Sequence, residues 1–392
     1  MRMFKKLFKK KPKTYDEIMQ TIASGLTGQP EKDMKYLKEQ GEIYKTHESA
    51  QEILKGIGRL MYGALPQEKR EEFDQAFDND MRANANRTAV AFEEAKFQIR
   101  KESSHKVIDL DINNNRLNIA AAIKEAEFQI HKKDFRKALK ILESIIKEIE
   151  SQLVYSLFLF DTIEKYYHFH NPFEELLYYN LYELSPGECI NYMTEDYGRL
   201  YSLYGAMLFE FKRFDEAKKA LTKAIKINPI NDEPLFELAE ISKIRGEWDE
   251  YSDITRQSFK IAYTRESIAR YYRNMGFYFI EKQDYDLAIA LYFVSKFYVK
   301  HPMVEHELLY IQKKAGRPIP MLSQDQIKEM FKKNDIPFGP DQTVMDLAFW
   351  YGTQAEKDKK YNAAWFFYSI LYGITYDEEI WKRMDNLPTG RK

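Results

Sequence analysis

A chain of 392 residues with 44% hydrophobic and 31% charged residues, only 16 Gly and 13 Pro, and 28 Tyr beside 26 Phe has the material for a large helical core and little of the turn chemistry of a β-sandwich. Its net charge of −1 conceals an asymmetry, because residues 1–13 carry seven basic residues and no acid while the remaining 53 basic and 61 acidic residues leave the body at −8. A mildly acidic body disfavours wrapping nucleic acid by bulk charge, and a single cysteine, Cys189, excludes both an internal disulfide and a thiolate zinc site.

In chain order, the opening MRMFKKLFKKKPK lacks the apolar run of a secretory signal, and no stretch of 18 apolar residues occurs, so a cytoplasmic protein is the expectation. Residues 1–13 read as a basic flexible tail. Phe4, Leu7 and Phe8 among its lysines also allow weak contact with an anionic membrane or RNA, each basic residue near such a membrane contributing roughly 1 kcal/mol. Residues 14–102 read as a helical N-terminal region with segments 15–24, 31–62 and 66–101, Pro30 and Pro66 standing at helix starts. Such a region can cap the first unit of an array or form a domain of its own. Residues 103–116, SSHKVIDLDINNNR, read as a polar linker. Asp109, Asp111 and Asn113 imitate the start of a calcium loop, but Asn114 and Ala120 stand where that loop needs Gly and Glu.

Beyond the linker a pattern recurs: a small residue, an aromatic nine later and an alanine twelve later. It is found at Ala126, Phe135, Ala138; Gly205, Phe214, Ala217; Gly276, Tyr285, Ala288; and Gly352, Tyr361, Ala364, with a weaker copy at Ala239, Trp248, Tyr251. The aromatics lie 79, 34, 37 and 76 residues apart. The clearest unit, 198–231, has Tyr201, Tyr204, Gly205 and Leu208 on one helix, Phe214, Ala217, Leu221 and Ala224 on a second, and Pro229 to end the pair. Gly205 and Ala217 are small where the two helices of a hairpin approach closely.

This pattern resembles the tetratricopeptide repeat, a helix-turn-helix unit of about 34 residues. Tyr201 stands where that family usually has Trp. The resemblance implies an all-α fold, a right-handed superhelical α-solenoid over 117–392 that follows the helical N-terminal region. The clearest repeats are 119–152, 198–231, 232–265, 269–302 and 345–378. The long gaps hold degenerate helix pairs at 153–185 and 303–335, the latter followed by the loop NDIPFGPDQ. A last helix, TYDEEIWKRMDNL, is placed to cap the array against Trp365, Phe366, Phe367 and Tyr368.

Groups with catalytic or metal-binding chemistry are sparse. His168 and His170, two apart in YYHFHNP, read as exposed histidines at a helix end, since that spacing sends helical side chains to different faces. His301 and His306 flank Pro302 and fare no better. Phosphate-loop, nucleophile-elbow and HExxH patterns are missing. Ser103 and Lys106 satisfy only a bare SxxK, and Cys189 at an expected helix start has no base beside it. The chain reads as a non-enzyme with no cofactor and no metal.

In the resembled family the first helices of successive repeats line a concave groove that holds a peptide or a partner helix. At the matching positions stand Glu127 and His131; Arg199, Ser202 and Phe209; Phe236, Glu240 and Lys243; Arg270, Arg273 and Phe277; and Phe349 and Thr353. Aromatics with both charges suit an extended peptide. Arg199, Glu233, Phe236, Arg270 and Arg273 do not reproduce the Lys/Asn/Arg set by which some members grip a chaperone's terminal carboxylate. The resemblance thus implies a scaffold or adaptor with a protein or peptide partner and no DNA. The alternatives are a peptide-responsive regulator whose superhelix changes shape on binding, and an assembly factor tethered to a membrane surface by residues 1–13.

Overall fold

The computed structural model describes residues 15–27, 29–44, 57, 87–99, 106–110, 118–151, 166–182 and 189–388. The basic segment 1–13, most of 103–116 and the stretch 152–165 lie outside the described residues. The chain divides into two compact units, Met1–Thr88 and Ala89–Lys392.

In the first unit, α1 (Tyr15–Ser24) and α2 (Pro30–Tyr44) bury Ile18 and Ile22, one helical turn apart, against Leu37 and Ile57. The Asp33 carboxylate fixes the turn between them by accepting from the Thr27 backbone N–H at 2.7 Å and its hydroxyl at 2.8 Å.

Most of the helix over 87–99, α3, belongs to the second unit. Then come strand β1 (Lys106–Leu110), α4 (Ile119–His131), α5 (Phe135–Ser151), strand β2 (Tyr166–Tyr167), α6 (Pro172–Leu181) and strand β3 (Cys189–Met193). The rest is helical: α7 (Tyr197–Glu210), α8 (Phe214–Ile227), α9 (Glu233–Arg245), α10 (Trp248–Lys260), α11 (Arg265–Glu281), α12 (Tyr285–Tyr298), α13 (Pro302–Ala315), α14 (Gln324–Lys333), α15 (Gln342–Lys357), α16 (Tyr361–Thr375) and α17 (Glu378–Asp385). The fold is all-α in class, with helices packed in consecutive pairs.

Local chemistry explains the pairs. On α5, Ala138, Leu139, Leu142, Ile146 and Ile149 form one buried stripe, and α8 repeats it with Ala217, Ala220, Leu221, Ala224 and Ile227. Between paired helices the chain makes the same turn five times, with Lys133, Lys212, Gly246, Gln283 and Lys359 all near φ +60 to +70°. In each turn this residue's N–H returns to the carbonyl three before it, as from Lys212 to Phe209 at 2.8 Å. The next N–H reaches the carbonyl five before it, as from Arg213 to Leu208 at 2.9 Å. Together these two bonds satisfy the end carbonyls of the first helix.

The small residue of the pattern is a packing requirement. A methyl at Gly205 would lie 2.6 Å from Leu221 Cγ, and one at Gly352 would lie 2.6 Å from Tyr368 Cε1. Gly352→Ala is therefore expected to destabilise the last hairpin by about 1–3 kcal/mol through overpacking, read as a lower urea midpoint.

Several sequence expectations give way to the structure. The segment expected as a degenerate helix pair over 153–185 holds strand β2 at Tyr166–Tyr167 and the single helix α6 among its described residues. Cys189 opens a strand and not a helix, and the expected linker contains β1. The three strands form one parallel sheet in the order β1-β3-β2, with Lys106 opposite Cys189 and Tyr167 opposite Tyr192. The reason is non-local: each strand needs partners from chain segments far away in sequence.

Helix α6 is buried through most of its length, from Pro172 to Tyr178, so it is a core helix and not an array element with a solvated face. It packs on α15. Helix α3 docks on the last hairpin. Phe92 meets Phe366 edge-on at 5.1 Å, and Glu94 accepts from Asn362 Nδ2 at 3.0 Å beside the start of α16. The aromatics Phe366, Phe367 and Tyr368 are core. Helix α17 closes the end of the array, with Trp381 on Tyr372 at 5.1 Å and Arg383 on Glu356 at 2.8 Å.

Candidate ligand-binding face

The first helices of successive hairpins are joined by ion pairs. Arg199 on α7 donates from Nε and Nη2 to Glu127 of α4, both at 3.0 Å, and from Nη1 to Glu233 of α9. Arg270 on α11 reaches back to Glu237 of α9 at 3.0 Å and lies 4.5 Å over the Phe236 ring. Lys243 pairs with Glu240 at 3.1 Å and lies 4.3 Å over Phe277.

Two expected face residues, Ser202 and Phe236, are buried, Phe236 beneath Arg270 of the neighbouring hairpin. Phe209 is half-buried against Phe214 within its own hairpin. Phe349 stays exposed near Arg383 and lines neither of the cavities on this face. Thr353 turns back to the Phe349 carbonyl at 2.8 Å, and His131 is exposed at the end of α4.

The structure brings Glu240, Lys243, Arg270, Arg273 and Phe277 to one cavity of about 170 Å³, together with residues absent from the sequence expectation, chiefly Asn274, Tyr292 and Glu307. Asn274 was legible only as the neighbour of Arg273, about 100° further around the helix. Burial and the adjacent Arg270 charge hold the Arg273 guanidinium below its ordinary pKa. Burial pushes the Glu307 carboxyl up.

A larger cavity, about 520 Å³, lies where α6, α7, α9 and α11 begin, lined by His170, Glu174, Asp196, Arg199, Asp232 and Thr264 among others. Asn171, Asp196 and Thr264 cap their helices through side-chain hydrogen bonds, while Asp232 at the start of α9 makes no capping bond. The histidines expected as exposed helix-end residues leave strand β2 and turn onto carboxylates. His168 Nδ1 lies 2.9 Å from the Met193 carbonyl. His170 sits between Glu174, with Nδ1 at 3.3 Å from Oε1, and Asp196, with Nε2 at 3.3 Å from Oδ2.

Glu174 also accepts from the His170 backbone N–H at 2.7 Å, Asn228 Nδ2 at 2.7 Å and the Tyr263 hydroxyl at 2.9 Å. Burial opposes charge on His170, but its bonds to Asp196 and Glu174 outweigh burial and hold the ring up to about 10. Burial likewise opposes the charges of Glu174 and Asp196, and the His170 bonds keep both below the ordinary carboxylate range. For Asp232 burial wins, pushing it up to about 6 against the lowering pull of the Ser267 hydrogen bond and the Arg270 charge. The sequence signal for this cluster was the pair Asn171–Pro172, a helix start with Glu174 in its first turn. Among the described residues, no group of three or more His, Cys, Asp and Glu side chains is placed to hold a metal ion.

No family model matches the chain, and no curated protein matches it. Among solved structures it is similar to the human IFIT1 dimer with m7Gppp-AAAA, at 15% identity and a TM-score of 0.27, over 96% of this chain and 82% of that one. It is also similar to a monomeric IFIT1 mutant with Gppp-AAAA, at 15% identity and a TM-score of 0.27, over 95% and 80% of the two chains. The human IFIT1 dimer with PPP-AAAA gives 15% identity and a TM-score of 0.26 over 98% and 83%. No helix among the described residues is long and apolar enough to cross a membrane.

Proposed function

We propose that this chain is a non-catalytic scaffold or adaptor of the tetratricopeptide type that holds a peptide or protein partner against the first helices α7, α9, α11 and α13. The observation that supports this reading is the convergence of aromatic and charged side chains from the helices α9 to α13 on one small cavity. Phe277 and Tyr292 supply apolar walls, while Lys243, Arg270 and Arg273 supply cations within them. Rigid aromatics beside placed charges are the composition of a recognition site for an extended chain.

The test is affinity capture from native cytoplasm with full-length protein, beside a variant carrying Arg199→Glu, Arg270→Glu and Arg273→Glu. A partner held by the native protein and lost from the variant supports the reading and places its surface. A partner retained equally by both removes this face from the account.

A further inference from the structure

We propose that the cavity between α12, α14 and the loop NDIPFGPDQ is a binding site for a free, neutral aromatic small molecule. The site goes beyond the peptide-binding reading and does not depend on it. It belongs to the second helix of its hairpin and shares no lining residue with either cavity of the candidate face.

The argument begins with a chain of rings. Phe297 and Tyr298 meet edge-on at 5.4 Å, Tyr298 stacks on Tyr272 at 6.0 Å, Tyr272 stacks on Phe331 at 5.8 Å, and Phe331 meets Phe338 at 6.0 Å. The middle of this chain is core, with Tyr272 and Phe331 buried, and its two ends are open, with Phe297 73% and Phe338 40% exposed. Both end rings line the same cavity, beside Val294 and Ile327. A further flat ring seated there continues the pattern, meeting the end rings at the offset or edge-on separations that aromatic pairs prefer and covering apolar surface that water touches.

Size and charge narrow the class. The volume, about 350 Å³, falls within the range of roughly 300–1,000 Å³ usual for a whole small ligand. No residue of the lining is charged, so an ionised ligand would give up its water there without a counter-charge. Lys328, 5.4 Å from the centre of the Phe338 ring, is not part of that lining. Gln324 is, and its amide offers one donor or acceptor to a hydroxyl or ring nitrogen on the ligand.

The loop wall is held in place by the protein itself. The Tyr272 hydroxyl lies 3.0 Å from the carbonyls of both Pro337 and Gly339 and accepts from the Gly339 N–H at 3.0 Å. Arg256 Nη1 donates to the Asp335 carbonyl at 3.0 Å, and the Ile336 N–H returns to the Phe331 carbonyl at 2.9 Å. Gly339 takes φ +102°, a conformation that residues with a side chain rarely adopt. A loop tied at these points presents Phe338 to the cavity without an ordering cost at the moment of binding.

The test uses full-length protein labelled at Val and Ile methyl groups and followed by NMR during titration with 2-naphthol, a neutral two-ring compound with one hydroxyl. Cyclohexanol, decanoate and N-acetyl-tryptophanamide serve as comparators for a neutral aliphatic ring, an anionic acyl chain and the aromatic side chain of a peptide. A saturable shift of the Val294 and Ile327 methyl signals with 2-naphthol is expected, at least tenfold weaker with each comparator and at least tenfold weaker in Phe297→Ala and in Phe338→Ala. Both substituted side chains are exposed, and two variants are used so that a folding defect in one, seen by circular dichroism, leaves the other to decide. No saturable shift of these methyls, or undiminished binding in a folded variant, overturns the site. A preference below tenfold over cyclohexanol or decanoate overturns the aromatic class. Binding of N-acetyl-tryptophanamide as tight as that of 2-naphthol reassigns the cavity to a side chain of a protein partner, which overturns the free ligand.

Discussion

Glu174→Ala is expected to destabilise the second unit by about 3–5 kcal/mol, the range for breaking a buried charge pair by removing one partner. Its carboxylate receives the His170 N–H, Asn228 and Tyr263, and those donors would be left in a buried site. The same cluster sets a pH dependence whose sign follows from the shifts. Glu174 and Asp196 are held below their ordinary values, so their contribution is present above the ordinary carboxylate range and is lost as pH falls through the depressed values. His170 is held up to about 10 against an ordinary 6.5, so its contribution is full below pH 6.5 and is lost as pH rises through about 10. Because the His170 side chain keeps 31% of its surface exposed, solvent screening makes the alkaline limb the shallower one. Asp232, raised from 3.8 to about 6, adds a loss as pH rises through that interval, so urea midpoints measured from pH 4 to 10 should fall toward the alkaline end, and Glu174→Ala should flatten the limb near pH 10. An alkaline limb unchanged in the variant would show that the Glu174–His170 pairing does not carry it.

Arg265→Ala is expected to have an effect of similar size. The Arg265 side chain, 8% exposed, donates from Nε to the Tyr298 carbonyl at 2.9 Å, from Nη1 to Ile374 at 2.7 Å and from Nη2 to Phe297 at 2.6 Å, with the Tyr376 ring 4.4 Å from its centre. One guanidinium at the start of α11 thus satisfies the end carbonyls of both α12 and α16. Its loss leaves three carbonyls without that donor and a hole among aromatic rings, at about 3–5 kcal/mol. Arg265→Lys should recover only part of this, since a single ammonium cannot reach the three carbonyls as a fork does. Hydrogen exchange offers the sharper readout, with faster exchange expected at the ends of α12 and α16 in the Ala variant. Unchanged protection there would mean that the helix ends are held by their own packing.

The hairpins were legible because their determinants are local: Gly205 faces Leu221 and Gly352 faces Tyr368, each sixteen residues along the chain, and spacing alone shows such pairs. The sheet was not, because β1, β2 and β3 each lack the length and alternation to announce themselves and exist through one another. Helix α6 misled for a related reason. Glu174 and Glu175 look like a solvated face in sequence, yet both are buried, and Glu174 is stabilised by groups 54 and 89 residues further on, Asn228 and Tyr263. Docking of α3 on the last hairpin joins residues 260 apart, as in the bond between Gln98 and Asp358 at 3.3 Å. Of the candidate face, the positions implied by the resemblance included Arg270, Arg273 and Phe277. The resemblance could not show that Phe236 is covered, or that Asn274 is turned to the same cavity, because both depend on where the neighbouring hairpin lies.

The turn repeated five times within the hairpins has a consequence for how far the chain stands from its stability optimum. Only one of the five left-handed positions, Gly246, is glycine; Lys133, Lys212, Gln283 and Lys359 take the same conformation with a side chain attached, at about 1 kcal/mol each. The four together hold back about 4 kcal/mol, a large part of the roughly 5–15 kcal/mol that separates folded from unfolded chains in general. A lineage or a designer can recover this deficit at positions that line neither cavity of the candidate face, gaining tolerance for the destabilising substitutions through which a binding face diversifies.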